Sequence, residues 1–74
     1  MTGKELKIKR VILDMSQADV AKELDLKPNT INRYEAFDLP VPNVIELSME
    51  ALEIRYINES MKDLEEKIFW ENGH

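Results

Sequence analysis

The sequence has no cysteine, two glycines, three prolines, a single histidine and no long apolar run. Without cysteine the chain can form neither disulfides nor thiolate metal sites, which fits a reducing compartment such as the cytoplasm. His74 is a lone terminal residue and brings no second ligand for a metal site. No apolar run approaches the roughly 18 residues of a membrane helix. The charges within the first ten residues do not fit a signal peptide.

The patterns of an active site are missing as well. No nucleophile stands with a base at a familiar spacing, and no glycine-rich phosphate loop is present. The carboxylates of Glu46, Glu50, Glu53 and Glu59 are spaced like a solvated helix face. We therefore predict that the protein is not an enzyme and that it uses no cofactor, no metal and no small-molecule ligand.

Charge is distributed unevenly along the 74 residues, whose formal net charge is -5. Residues 1–35 carry seven Lys and Arg against six Asp and Glu, whereas residues 36–74 carry three against nine. The acidity therefore belongs to the C-terminal half. Because net charge governs long-range steering rather than fold, a locally basic face in the first half could still meet a phosphate backbone.

The chain is long enough for one small domain. A domain of this size buries only roughly 60% of the surface that its unfolded chain exposes, so dimerisation would help to stabilise it. A first helix is predicted from Gly3 to Leu13, with Leu6 and Leu13 on its inward face. Arg10 lies between these two leucines, and a guanidinium in that position requires a carboxylate partner. The alternative is an exposed arginine that contacts phosphate.

Two short helices follow. Ser16 is a typical N-cap for the second, which should end near Asp25, a residue that tolerates the left-handed conformation. Pro28 favours the start of a third helix at its first position, and Ile31 and Tyr34, three residues apart, mark its buried side. Two tandem helices joined by a tight turn are predicted.

Residues 44–70 contain neither glycine nor proline and form either one long helix or two with a bend between Glu53 and Asn58. Leu47, Ala51 and Ile54 form one apolar stripe. Five apolar residues continue at spacings of three and four along this fourth predicted helical segment, α4 (residues 44–70), and we call them the α4 seam: Ile54, Ile57, Met61, Leu64 and Ile68. The seam is a candidate dimer contact, and the alternative is that it packs back on its own domain.

From about Gly3 to Leu52 the sequence resembles the Cro and phage-repressor (XRE-type) helix-turn-helix family, most specifically over residues 16–35. Ala21 stands where the family has a small residue between the two motif helices. Apolar residues stand at the family's apolar positions Val20, Leu24, Leu26, Ile31 and Tyr34. The chain departs from the family at Asp25 and Phe37, where glycines are usual. The second departure removes a flexible loop that often contacts phosphate.

The resemblance implies an all-α, lambda-repressor-like domain of four to five helices with an extended amphipathic C-terminal helix. Residues 1–53 would be the DNA-binding domain and residues 54–74 the dimerisation element. The function implied is a sequence-specific, phage-type or prophage-type repressor in the cytoplasm, bound as a homodimer to a palindromic operator in double-stranded DNA. The alternative is a protein-binding module of the same fold, an antirepressor or antitoxin acting through its acidic C-terminal helix.

The family's pattern also assigns site residues. It pairs Arg10 with Glu35. Gln17, at the start of the first motif helix, would contact the DNA backbone. Base contacts fall on the second motif helix and its approach, at Lys27, Pro28, Asn29, Thr30, Asn32 and Arg33. Weaker phosphate candidates are Lys7, Lys9 and Lys22. The alternative for these polar residues is an ordinary solvated helix surface.

Overall fold

Four helices build the fold. The computed structural model describes residues 1–72, and the side chains of residues 1–68. The helices are α1 (Gly3–Ile12), α2 (Gln17–Glu23), α3 (Pro28–Ala36) and α4 (Asn43–Asn72). No strand occurs among residues 1–72, so the all-α prediction is confirmed. His74 lies outside the described residues.

The helix starts follow local chemistry. At α2 the Ser16 hydroxyl accepts from the Asp19 N–H at 3.0 Å, and the Ser16 N–H donates to the Asp19 carboxylate at 2.9 Å. This reciprocal cap confirms Ser16 as the N-cap and lowers the pKa of Asp19, because the Ser16 N–H stabilises the charged carboxylate. Pro28 opens α3 after an extended Lys27, as predicted.

Three helices end in the same way, each with an aspartate in the left-handed region: Asp14 (φ 56), Asp25 (φ 55) and Asp38 (φ 48). In each case the next amide donates to a carbonyl five residues earlier, the arrangement usually built around glycine. The pairs are Met15 with Arg10 at 3.1 Å, Leu26 with Ala21 at 2.7 Å and Leu39 with Tyr34 at 3.0 Å. The prediction for Asp25 is thus confirmed.

One apolar core joins all four helices. Leu6, Val20, Ile31 and Met49 are fully enclosed, and Tyr34 packs against them from the edge. The remaining core members are Leu13, Ala21, Val41, Ile45 and Leu52. The inward residues predicted for the first and third helices are therefore confirmed.

The segment between α3 and α4 fixes the start of α1. The Gly3 N–H donates to the Leu39 carbonyl at 2.9 Å, and the Val41 N–H donates to the Met1 carbonyl at 2.8 Å. The Lys4 N–H donates to an Asp38 carboxylate oxygen at 2.8 Å. Asp38 therefore ends α3 and also satisfies one of the free amides at the start of α1.

Helix α4 is continuous, which settles the choice left open between one helix and two. Its core face consists of Ile45, Met49 and Leu52, whereas Leu47 is 63% exposed and Ala51 is exposed. The stripe through Leu47 and Ala51 therefore points away from the core. All five residues of the α4 seam are between 48% and 61% exposed. The alternative in which the seam packs back on its own domain is thus wrong.

Two ion pairs attach the middle of α4 to the other helices. Lys9 Nζ lies 2.8 Å from Glu53 Oε1, and Arg55 Nη2 lies 3.1 Å from Glu23 Oε2. Beyond Leu52 the helix continues past the core, and its sixteen residues to Ile68 extend over about 24 Å. Within the described part of the chain, no helix combines the length and apolarity needed to cross a bilayer.

Candidate nucleic-acid interface

The outward face of α3 is polar and exposed. Ile31 is fully buried and Tyr34 half-buried, which fixes the opposite side of the helix toward solvent. Because successive residues turn by about 100°, Asn29 and Arg33 lie nearly opposite this anchored side. The residues on the exposed surface are Lys27, Pro28, Asn29, Asn32 and Arg33, while Thr30 is partly covered at the flank.

These side chains are available for a ligand. Among residues 1–68, Asn29, Asn32 and Arg33 form no side-chain hydrogen bond or ion pair. A guanidinium can donate two parallel hydrogen bonds to guanine O6 and N7, and an amide can bind adenine N6 and N7. The first turns of α3 thus present donor and acceptor groups of the kind that can bind base edges.

A charged network holds the far end of α3. Arg10 Nε donates to Glu35 Oε2 and Arg10 Nη2 to Glu35 Oε1, both at 2.8 Å. Arg10 Nη1 also donates to the Met15 carbonyl at 2.9 Å. The Arg10 and Glu35 side chains are only 13% and 4% exposed. This bidentate pair ties α1 to α3, so the carboxylate partner predicted for Arg10 is Glu35.

The network keeps both groups charged. Burial would raise the pKa of Glu35, but hydrogen bonds from Arg10 and Gln17, with the charges of Arg10 and Lys7, outweigh it and lower that pKa. The hydrogen bond to Glu35 raises the pKa of Arg10 in turn. The link between α1 and α3 is therefore ionised at neutral pH.

Gln17 joins the same network. It is the first residue of α2, and its Nε2 donates to Glu35 Oε1 at 3.3 Å. An amide nitrogen carries two hydrogens, so one remains for another acceptor such as phosphate. Gln17 was predicted as a backbone contact, and its bond to Glu35 was missed because nothing in the local sequence connects residues so far apart.

The three lysines predicted as phosphate candidates occupy different environments. Lys7 and Lys22 are exposed, and Lys7 lies close enough to Glu35 to influence its pKa. Lys9 instead binds Glu53 on the side of α1 that faces α4. In this ion pair a carboxylate balances the charge of Lys9, which makes Lys9 a weaker candidate for a phosphate contact than Lys7 or Lys22.

A groove runs beside α3. It has a volume of about 240 Å³ and is lined by Thr30, Arg33, Tyr34 and Leu39. Phe37, just after α3, is 69% exposed and adds an apolar ring at this end of the surface. The sequence had identified Phe37 only as the loss of a glycine. No group of metal-binding side chains occurs in the described part of the chain.

The fold and the exposed α3 face define a helix-turn-helix protein. The sequence model of the family described as Helix-turn-helix matches residues 6–36, which run from the middle of α1 through α2 to the end of α3. This part of the chain is therefore similar to helix-turn-helix domains of the Cro/C1 (XRE) type, a family of DNA-binding regulatory domains that are typically not enzymes. A significant match was found neither among the curated proteins nor among the solved structures.

Proposed function

We propose that this protein is a sequence-specific transcriptional regulator, a repressor or autoregulator of the phage or prophage type. In this proposal the start of α3 enters the major groove of double-stranded DNA. The observation that carries the proposal is the exposed polar face of α3, with Asn29 and Arg33 unpaired on a helix whose other side is fixed in the core. Arg33 and Asn29 read base edges, and Lys27, Pro28, Thr30 and Asn32 complete the contact surface.

Phosphate contacts orient the domain on the duplex. Gln17 supplies the free hydrogen of its amide, while Lys7 and Lys22 supply exposed charges. The acidic groups of the chain lie mainly on α4, so the basic N-terminal half can approach DNA. Such a protein acts where DNA lies, in the cytoplasm at the nucleoid, and requires no cofactor.

We further propose that the regulator is a homodimer. Residues 1–53 form the DNA-binding domain, and residues 54–74 dimerise through the α4 seam, which is exposed along its whole described length. Two copies place two recognition helices on half-sites about 34 Å apart, so the operator is expected to be palindromic.

A second candidate function is favoured by the same exposed seam. The helix around it is highly charged, with four acidic residues (Glu59, Asp63, Glu65 and Glu66) against three basic ones (Arg55, Lys62 and Lys67) between residues 54 and 68. A protein-binding module such as an antirepressor or antitoxin would use this surface for another protein and would leave α3 unused.

The experiment is a selection of binding sites from random duplex DNA, followed by titration of the enriched site at several salt concentrations. We expect a palindromic site and an affinity that falls steeply with salt, because phosphate contacts release counterions. Two double variants are compared. The variant that combines Asn29→Ala with Arg33→Ala should abolish enrichment, whereas the matched control that combines Glu59→Ala with Asp63→Ala should leave enrichment unchanged. Absence of any enriched sequence would favour the protein-binding module.

A further inference from the structure

A second exposed apolar surface lies on α1. Ile8 is 51% exposed and Ile12 is 66% exposed, and their spacing of four places them on one face of the helix. Ile12 also lines a groove between α1 and α4 with a volume of about 370 Å³. The other residues lining it are Lys9, Leu13, Glu53, Tyr56 and Ile57.

Helices α1 and α4 run in the same direction. The amine of Met1 lies 3.4 Å from Glu46, the Lys9 ammonium 2.8 Å from Glu53, and Ile12 shares the groove with Ile57. Position along α1 therefore increases together with position along α4. Ile8 and Ile12 lie at the levels of the residues that precede and follow Glu53.

The exposed apolar residues of α4 are not all on one face. Successive residues of a helix are rotated by about 100° around its axis. The seam residues from Ile57 to Ile68 are therefore centred about 120° around α4 from the core face. Glu53, which faces α1, lies between the core and the seam. Leu47 and Ala51 lie about 90° beyond the seam, on its far side from α1. Going around the axis of α4, the core face therefore comes first, then the side that faces α1, then the seam, and last the side that carries Leu47 and Ala51.

We propose that a second copy of this chain packs with its α4 parallel to the first, seam against seam, and that Ile8 and Ile12 contact the Leu47 and Ala51 side of the partner helix. This inference rests on the proposed homodimer and specifies its geometry. A partner helix placed on the seam lies next to α1, on the face that carries Ile12. A two-fold axis parallel to α4 rotates the partner helix by half a turn. The side of the partner helix that faces α1 is therefore the one beyond its seam, which carries Leu47 and Ala51.

The parallel arrangement accounts for apolar residues that an antiparallel one leaves exposed. An antiparallel partner would direct its Glu53 side toward α1, and its Leu47 and Ala51 would remain in water. In the parallel pair the α4 seam, the Ile8 and Ile12 face, and the Leu47 and Ala51 face are all covered by one symmetric contact. Glu50 also lies on the seam side, and its charge helps to raise the pKa of Lys9, which is paired with Glu53.

The exposed area agrees with a surface that needs a partner. The chain exposes 5658 Å². A monomeric protein of its mass, 8.7 kDa, typically exposes about 4,700 Å². The excess is close to the roughly 800 Å² that each partner buries in a standard stable interface.

Disulfide trapping tests the geometry, and the absence of native cysteine makes the test clean. In a parallel dimer, Ile57→Cys and Leu64→Cys should each crosslink to their own copy under mild oxidation. These two residues are about 10 Å apart along α4, so an antiparallel pair can bring at most one of them next to itself. Crosslinking of both supports the parallel arrangement, and crosslinking of one or neither overturns it.

Mixed single-cysteine variants test the contact between α1 and the partner. Ile12→Cys mixed with Asn58→Cys should form the crossed disulfide, because Asn58 lies on the same side of α4 as Leu47 and Ala51. Val11→Cys mixed with Asn58→Cys is the control, since Val11 is 60% exposed but points about 100° away from Ile12. Equal yields from the two mixtures would overturn the proposed α1 contact.

Substitution gives a second measurement that does not depend on disulfide geometry. Ile12→Lys should raise the dimer dissociation constant by about tenfold or more in analytical ultracentrifugation, and Val11→Lys should leave it unchanged. Equal effects of the two would overturn the inference while leaving the homodimer intact. A monomeric wild-type chain would overturn both the inference and the proposed homodimer, and the binding-site selection would still test α3 independently.

Discussion

The α-carbon of Gly3 lies directly against the carbonyl oxygen of Tyr34, so that a Cβ at Gly3 would overlap this oxygen. The carbonyl belongs to the last turns of α3 and already accepts a hydrogen bond from the Leu39 N–H at 3.0 Å. Glycine is therefore required where the start of α1 crosses the end of α3. The close approach places α1 directly against α3.

We predict that Gly3→Ala lowers the free energy of unfolding by roughly 1–3 kcal/mol, because α1 must move away from Tyr34 to accommodate the methyl group. Helix propensity alone predicts the opposite sign, since alanine is favoured over glycine in a helix. Urea denaturation monitored by circular dichroism measures the change. Glu5→Ala, an exposed position in the same first turn, serves as the control and should change stability by less than about 0.5 kcal/mol. A stabilised Gly3→Ala variant would contradict the close approach.

The local chemistry of the fold was predictable from the sequence. Ser16, Asp25 and Pro28 mark helix boundaries because capping, left-handed turns and proline at a first helical position depend on neighbouring residues. The need of Arg10 for a carboxylate was also predictable, because its place between Leu6 and Leu13 implies burial.

Features that depend on contacts between residues far apart in the chain could not be predicted in the same way. Leu47 and Met49 are both apolar and belong to helical stripes, so the sequence could not decide which of them faces the core. Lys9 suits an ion pair as well as a phosphate contact, and its partner Glu53 is far away in the chain. The contact of Gly3 with Tyr34 likewise exists only after α1 and α3 have packed.

The pair of Arg10 and Glu35 should make stability depend on acid pH. The pKa of Glu35 is lowered from an ordinary value of 4.5, so the unfolded chain binds its proton more readily than the folded one. The contribution to stability is therefore fully present above about pH 4.5 and is lost as the pH falls through the folded pKa. Glu35→Gln should cost roughly 2–3 kcal/mol at pH 7 and flatten this acid loss. Urea titrations at pH 7 and pH 3 measure both, with Glu65→Gln as the control; identical pH dependence in all three proteins would refute the assignment.

The aspartates at the helix ends should respond differently to glycine. Asp25→Gly relieves the left-handed strain and removes a negative charge from a helix C-terminus, so we expect a gain of about 0.5–1 kcal/mol. Asp38 has a similar φ, but its carboxylate accepts from the Lys4 N–H at 2.8 Å. Asp38→Gly should therefore gain nothing or lose up to about 1 kcal/mol. Thermal unfolding of the two variants compares them directly, and equal stabilisation would show that the bond to Lys4 contributes nothing.

Arg33 should provide specificity as well as affinity. Arg33→Ala is expected to weaken binding to the selected operator by roughly 1–3 kcal/mol and to relax the preference at one base pair of each half-site. Arg55→Ala removes an arginine from α4 that lies 3.1 Å from Glu23, and it should leave operator affinity nearly unchanged. Fluorescence anisotropy with the operator and its single-base variants measures both. Wild-type affinity and base preference in the Arg33 variant would remove this residue from the interface.

The α4 seam can be tested without disturbing the core, because Met61 lies nine residues beyond Leu52, the last core residue of α4. Met61→Lys should weaken the dimer by roughly 3 kcal/mol, since both copies lose a buried methionine. Ser60→Lys adds the same charge one position away from the seam and should leave the dissociation constant close to that of the wild type. Light scattering over a range of concentrations gives the oligomeric state, and circular dichroism checks that the helices are retained. If the dimer is equally stable in both variants, the dimer contact lies outside the seam. The seam would then not be the contact that brings two recognition helices to one operator.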